Sequence, residues 1–272
     1  MTSNFPSAGA GFVLRILFFL GSSVLISGCA AGQGAASQFA RQDTTWERTV
    51  VRVDTFRVVD PAQHRAIPLA TYTPAARPTP APRLKVALLN HGYGGTNTAY
   101  SFLAKNLVAH GYYVLSLQQD LPGDAPLPTT GDPAVVRRPA WERGVQNMLF
   151  VLQELRRTPA AFDLDQVLLV GHSNGGDMVM LFAQEHPELV ERVISLDNRR
   201  VPLPRASRPR VLSLRSSDQP ADAGVLPTPA EQAAFGLTIV PLPATLHNDM
   251  WDGATRAQKR EMNDVISKFL AQ

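Results

Sequence analysis

Ser173 is the residue of this chain whose surroundings point most directly to chemistry. It sits in Gly171-His172-Ser173-Asn174-Gly175-Gly176, directly after the apolar run Val167-Leu168-Leu169-Val170. An apolar run followed by Gly-x-Ser-x-Gly predicts a buried strand, a sharp turn and a helix, with the serine hydroxyl held out at the turn. Glycines two residues either side relieve the crowding that so tight a turn imposes. The N–H of Asn174 would open the helix, where unpaired N–H groups and the helix dipole favour negative charge. A second glycine-rich run, Asn90-His91-Gly92-Tyr93-Gly94-Gly95, follows the strand-like Leu84-Lys85-Val86-Ala87-Leu88-Leu89. Glycines there let backbone approach a reacting carbonyl and aim an N–H at it. Tyr93 and Asn174 are the two expected oxyanion donors, and His91, Gly92 and His172 are expected to border the substrate.

The elements that must position these residues follow from hydropathy patterning. Strand patterns run over Thr49–Val59, Ala66–Tyr72, Leu84–Leu89, Tyr113–Leu117, Val167–Val170, Arg192–Leu196, Val211–Leu214 and Leu237–Leu242. Helical patterns run over Ala99–His110, Trp141–Arg157, Asn174–Glu185, Thr228–Phe235 and Thr255–Leu270. Gln118–Pro139, with Asp120 and Asp124, reads as a long loop bordering the site. Pro74–Pro82 reads as a stiff proline-rich loop inside the domain. Alternating strands and helices imply an α/β chain in three layers, with a mostly parallel central sheet covered on both faces. Ligands then bind beyond the carboxyl ends of the strands, where both glycine motifs fall.

The elbow at Ser173 resembles that of the α/β-hydrolases, whose nucleophile, acid and histidine follow in that order along the chain. That order sorts the six histidines. His64, His91, His110 and His172 precede Ser173. His186 lies 13 residues on, at the far end of the same helix, or roughly 20 Å away at 1.5 Å rise per residue. His247, in Ala244-Thr245-Leu246-His247-Asn248-Asp249 after the last strand, is left as the base. Asp249 beside it raises a metal site, which no cysteine or further histidine supports, and none is expected. Two carboxylates compete as the acid. Asp197 ends a buried strand, where it needs a partner. Asp218 follows Val211–Leu214 by four residues, the usual place for the acid in this fold, and Asp222 is a distant third.

The stretch Asn90–Asp120, Gly171–Gly176, Leu196-Asp197 with Val201-Pro202-Leu203, and His247-Asn248 together resemble dienelactone-hydrolase-like and platelet-activating-factor-acetylhydrolase-like serine esterases, over about residues 66–270. The resemblance implies a three-layer α/β-hydrolase fold and, in the acetylhydrolase-like branch, an acid at Asp197. The chain departs from that branch by keeping Asp218 too. The implied activity is carboxylic ester hydrolysis through an acyl-enzyme, with no cofactor. Its partner is a small-molecule or accessible polymeric ester. About 13 residues separate Asp197 from the next strand, too few for a lid domain. A serine peptidase or amidase would use the same residues, since a fold does not fix the scissile bond. A non-catalytic binding protein of the cell envelope is the reading from another class.

Arg15 precedes the apolar run Ile16–Leu20, which resumes at Val24-Leu25-Ile26 and ends in Ser27-Gly28-Cys29. This is a secretory layout, and Leu25–Cys29 resembles the lipobox of bacterial lipoproteins. The expected organisation is a signal peptide over 1–28, a tether over 29–45 and the α/β-hydrolase domain over 46–272, lipid-anchored at Cys29 in a bacterial envelope. Cys29 is the only cysteine, so no disulfide framework accompanies export. Losing residues 1–28 leaves 244 residues and, since Arg15 is the only charge removed, 25 Lys+Arg against 23 Asp+Glu. A balance this even, with no basic stripe, gives no nucleic-acid signal. Cys29→Ser is expected to release the protein from membranes or block its processing, as read by fractionation and intact mass. Unaltered membrane retention and processing would contradict the lipid anchor.

Overall fold

The computed structural model describes residues 45–76, 83–157 and 162–272. The signal segment, Cys29, all of the tether but Thr45, and most of the Pro74–Pro82 loop lie outside the described residues. Eight strands form one sheet in the order β1-β2-β4-β3-β5-β6-β7-β8. They are β1 (Val51–Asp60), β2 (Arg65–Pro74), β3 (Leu84–Asn90), β4 (Tyr112–Leu117), β5 (Phe162–His172), β6 (Val190–Leu196), β7 (Arg210–Arg215) and β8 (Thr238–Pro241). β2 pairs antiparallel with β1 and with β4, and every other pairing is parallel. The expected mostly parallel sheet is therefore present, with an antiparallel hairpin at one edge.

Alternation along the parallel strands sends side chains to two separate cores. Val86, Leu88, Val167, Leu169 and Val193 pack against α4 (Arg138–Arg156) and α5 (Asn174–Glu185) through Trp141, Met148, Met178 and Phe182. Ala87, Leu89, Leu168, Val170 and Ile194 pack against α2 (Ser101–Ala109) and α7 (Arg256–Leu270) through Phe102, Leu107, Ile266 and Phe269. Strands buried on both faces need continuous apolar runs, which is what their sequences carry. A short helix α1 (Thr45–Arg48) adds Trp46 to the second core. Two segments differ from expectation. β5 begins at Phe162 rather than Val167, with an irregular register between Lys85 and Ala87 of β3 that absorbs the polar start. The Gln118–Pro139 stretch holds a one-turn helix, α3 (Pro133–Val136), capped by Asp132, whose carboxylate accepts from Ala134 N. The short helix α6 (Pro229–Phe235) lies between β7 and β8.

Topology places the site. β3 and β5 are neighbours, with Asn90 opposite Gly171, so the His91–Gly95 turn and the Ser173 turn emerge side by side. His172 lies opposite Leu196, and Leu196 opposite Leu214. The ladder continues one step past the strand ends, with Ser173 N–H donating to Leu196 O at 2.9 Å and Asp197 N–H to Leu214 O at 2.9 Å. Ser173, Asp197 and Arg215 are therefore successive rungs at one edge of the sheet.

The Gln118–Pro139 stretch is tied to β2 by a two-pronged ion pair. Arg65 Nη1 and Nη2 each lie 2.7 Å from one oxygen of Asp124, and Nη2 also donates to Gln119 O. Bidentate pairs of this kind are the strong ones. Arg65, helped by the N–H of Leu121, holds the Asp124 carboxyl down to about 2 against the upward push of burial. A carboxylate depressed in the folded state stabilises above its unfolded pKa of about 4, and that stabilisation drains away as pH falls toward 2. Asp124→Asn is expected to cost about 1–2 kcal/mol at pH 7 and to flatten the loss of stability between pH 4 and 2. Denaturant unfolding across that range checks it, and an unchanged acid slope would contradict it.

Candidate active site

Ser173 is held where the sequence expects it, at the turn between β5 and α5, with φ 53° and ψ −118°. A non-glycine residue there costs about 1–3 kcal/mol and persists only where the surroundings over-determine it. The surroundings are the two glycines. A Cβ on Gly171 would collide with Gly175 O, and one on Gly175 with His91 O. No side chain fits at either position without moving backbone.

Ser173 Oγ lies 2.8 Å from His247 Nε2, and His247 Nδ1 lies 2.6 Å from Asp197 Oδ2. An ionised carboxylate only accepts, so Nδ1 carries the ring proton and Nε2 presents a lone pair to the serine hydroxyl. Asp197 has no exposed surface, and its oxygens are fully engaged. Oδ2 also accepts from Ser216 Oγ at 2.6 Å, and Oδ1 accepts from Ser216 N at 3.0 Å. Arg215 Nη2 stands 2.9 Å from Oδ1 as an ion-pair contact rather than an aligned hydrogen bond, while Nη1 donates to Asn198 O. Burial pushes the Asp197 carboxyl up, but His247, Arg215 and Ser216 outweigh it and hold it below its ordinary value. Asp197 also adopts φ 59°, a left-handed turn that brings its side chain round to the histidine.

Asp218, the competing candidate, has a different partner. Its Oδ1 accepts from the backbone N–H of His247 at 2.7 Å. It braces the main chain of the histidine loop and leaves the imidazole to Asp197. Asp222 pairs with Arg200. Asp249 accepts from Leu246 N and Gln258 Nε2. Among the described residues no group of His, Cys, Asp or Glu is placed to hold a metal.

The expected oxyanion donors sit on the two adjoining turns. Gly92 N–H donates to Tyr100 Oη, Gly94 N–H to Asp120 Oδ2 and Gly95 N–H to Gly92 O. Among the described residues nothing takes the N–H of Tyr93 or of Asn174. The Tyr93 hydroxyl accepts from Leu127 N, and the Asn174 side chain accepts from Trp141 Nε1 at 2.8 Å. Both residues are thus pinned by their side chains while their N–H groups stay open.

His91 and His172, expected to border the substrate, have their ring nitrogens engaged within the protein. His91 is 1% exposed, with Nδ1 donating to Gly92 O and Nε2 accepting from Gln119 N. Both ring nitrogens are spent inside the protein. His172 lines a groove with its ring, but its nitrogens are taken as well. Nε2 donates to His247 O at 3.0 Å, which leaves Nδ1 to accept from Tyr100 Oη at 2.8 Å. Burial, reinforced by neighbouring His247, pushes His172 down to about 3, so it stays neutral. Gly92 works through close approach, since a Cβ there would lie 3.0 Å from His172 Nδ1.

Several supporting residues are not singled out by the sequence. Tyr100 links Gly92 N–H to His172, and through it to the His247 carbonyl. Gln119 joins Asn90 Oδ1 at 2.6 Å to Asn147 Nδ2 at 2.8 Å beneath the same turn. Arg215 and Ser216 complete the shell of Asp197. Chemically the arrangement can activate a hydroxyl, take up its proton and stabilise an oxyanion.

Residues 81–196 match a family described as Hydrolase_4, "Serine aminopeptidase, S33". A mouse (Mus musculus) protein named sn-1-specific diacylglycerol lipase ABHD11 is 32% identical over 108 residues, covering 39% of this chain and 30% of that protein. The uncharacterized protein Rv2715 of Mycobacterium tuberculosis (strain ATCC 25618 / H37Rv) is 30% identical over 118 residues, covering 39% of this chain and 27% of its own. The matched segments thus span less than a third of those relatives' length. Among solved structures, a ferulic acid esterase from Streptomyces cinnamoneus superposes with a TM-score of 0.58 at 18% identity, covering 88% of this chain and 92% of that one. An esterase of Pyrobaculum calidifontis gives 0.58 at 14% identity over 83% and 86%. Likeness at this identity speaks for the fold, and with the sheet described above it gives the chain the α/β-hydrolase fold.

Replacing a carboxylate that orients a catalytic histidine by its amide costs about 10⁴ in rate through the wrong tautomer. Asp197→Asn is therefore expected to slow inactivation by a serine-directed phosphonate by at least about 10³. Asp218→Asn keeps an acceptor for the His247 N–H and is expected to stay within about tenfold of wild type. Inactivation rates at matched thermal stability check both, and the reverse order would hand the orienting role to Asp218.

Proposed function

We propose that this chain, which has the α/β-hydrolase fold, is a serine hydrolase that cleaves carboxylic esters through a Ser173-His247-Asp197 triad. The observation that carries the reading is the continuous chain from Ser173 Oγ through His247 to Asp197, at 2.8 and 2.6 Å. Ser173 Oγ attacks the ester carbonyl as His247 Nε2 takes its proton. Asp197 keeps the ring in that tautomer and stabilises the imidazolium that forms. The N–H groups of Tyr93 and Asn174 receive the oxyanion. Collapse of the tetrahedral intermediate expels the alcohol, protonated by His247, and leaves an acyl group on Ser173. Water, deprotonated by His247, then attacks the acyl-enzyme and restores the serine. No step calls for a metal or cofactor.

The solved structures named above are titled as esterases, which supports ester cleavage, and the open site supports short or accessible esters. The lipobox-like segment Leu25–Cys29 supports an envelope protein held to a membrane by lipid. The family description favours a second reading, an aminopeptidase with the same triad. Such an enzyme binds a free α-ammonium, and the smaller cavity at Ser173 is lined by three arginines, Arg137, Arg199 and Arg200, against one carboxylate, Asp177, which is spent on three backbone N–H groups. That charge disfavours an ammonium and supports the ester reading.

The test compares short-chain 4-nitrophenyl esters with aminoacyl anilides on wild type and Ser173→Ala. The expected result is ester turnover with a burst of nitrophenol, little anilide cleavage, and a loss of several powers of ten in kcat for the variant. Anilide turnover exceeding ester turnover would favour the peptidase. Undiminished ester cleavage by Ser173→Ala would remove Ser173 from the chemistry.

A further inference from the structure

Two depressions meet at Ser173. They share Tyr93, Ser173 and His247 and differ in the rest of their walls. The larger, about 440 Å³, is lined by uncharged residues such as Gly94, Ala99, Tyr100 and Trp251. The smaller, about 160 Å³, is lined by Arg137, Arg199 and Arg200. The proposed triad and oxyanion donors use none of these arginines.

Arg199 and Arg200 are carried on the turn after Asp197, and that turn is rigid. Asp177 Oδ1 accepts three successive backbone N–H groups, from Arg199, Arg200 and Val201, at 2.9–3.2 Å. Asn198 is locked by Ser195 Oγ and by its own bond to Val201 O. Arg137 comes from a different element, between α3 and α4, with Nε donating to Pro128 O. The acid partners on this wall are few. Asp222 pairs with Arg200 at 2.5 Å, and the Arg200 Nε is buried with no acceptor among the described residues. Arg199 donates to Gln219 Oε1 and Pro220 O, both neutral acceptors. Arg137 has no carboxylate within ion-pair distance among the described residues. Burial first, then Arg200 and Arg199 nearby, push Arg137 below its ordinary value, with Asp177 and Asp222 pulling the other way. It stays cationic nonetheless. Burial pushes the Asp177 carboxyl up to about 6 against its three N–H donors, so it counts as charged at pH 7. Three guanidiniums thus face two carboxylates, one of which is spent on backbone and one on Arg200.

Resting on the esterase reading, we infer that the smaller cavity is an anion subsite. It takes a carboxylate that the ester substrate carries a few bonds from its scissile carbonyl, seated on Arg137 and Arg199. The substrate's uncharged part lies in the larger groove. The guanidinium fork suits the two oxygens of a carboxylate. Asp177 and Asp222 on the same wall weigh against a dianion, so a monoanionic carboxylate fits better than a phosphate monoester.

The experiment measures kcat and KM on two matched pairs at low salt, by pH-stat. Monoethyl adipate against ethyl hexanoate puts the charge on the acyl side. 4-Acetoxybenzoate against phenyl acetate puts it on the alcohol side. Wild type is expected to prefer the carboxylated member of at least one pair by about tenfold or more, since hydrogen bonds to charged groups are worth roughly 10- to 100-fold. Added sodium chloride is expected to shrink the preference. Arg199→Ala and Arg137→Gln, on separate elements, are each expected to cut the preference by about tenfold, mainly through KM. Arg199→Lys is expected to restore part of it. Preference for the neutral member in both pairs, or a preference that neither substitution alters, would overturn the subsite. Labelling of Ser173 by phosphonate with no charge preference overturns the subsite alone. No turnover of any of the four esters, with no labelling, overturns the esterase reading and the subsite with it.

Discussion

A carboxylate with no exposed surface, at the end of a parallel strand, is the constraint around which this site is built. Burying a charge is expensive unless every oxygen is met, and Asp197 is met from four directions, by His247, by both donors of Ser216 and by Arg215. Two of the three partners follow from strand register alone. Leu196 pairs with Leu214, so the residues that continue β7 arrive beside the residue that continues β6. Only His247 must be brought from elsewhere. It arrives on a loop fastened at its backbone, where Asp218 takes its N–H and His172 donates to its carbonyl. The imidazole is therefore positioned by its main chain as much as by its ring.

The same economy of backbone runs through the turn after β3. His91, Gln119, Asn90 and Asn147 form a buried polar network beneath it. Tyr100 links that turn to His172 through Gly92 N–H. Asn147 Nδ2 is spent on Gln119, while Asn147 Oδ1 meets no donor among the described residues. On the two neighbouring turns, the N–H groups of Tyr93 and Asn174 meet no acceptor among the described residues.

Much of this could be read in the chain beforehand, and the failures have a common cause. The strands, the three layers, the elbow at Ser173 and the histidine at 247 are local patterns or follow from chain order. Sequence leaves the acid open between Asp197 and Asp218 because both end or follow a strand. Only the left-handed turn at Asp197 decides which one faces the ring, and aspartate does not announce that conformation. His91 and His172 carry catalytic-looking neighbours, yet their partners Gln119, Tyr100 and the His247 carbonyl lie 28, 72 and 75 residues away. No periodicity or short motif reports contacts at that separation. The polar start of β5 is not legible in the sequence, because Asp163, Asp165 and Gln166 break the apolar run that marks a buried strand.

Ser173, His247, Asp197 and two backbone N–H groups are proposed to act as one esterolytic centre. A crystal structure of the covalent adduct with an alkyl phosphonate tests it most directly, because the phosphoryl oxygen stands in for the oxyanion. The expected result is phosphorus bonded to Ser173 Oγ, with the phosphoryl oxygen about 2.7–3.1 Å from both Tyr93 N and Asn174 N and His247 Nδ1 still on Asp197. Phosphorus on another residue, or a phosphoryl oxygen turned away from those two N–H groups, would contradict it.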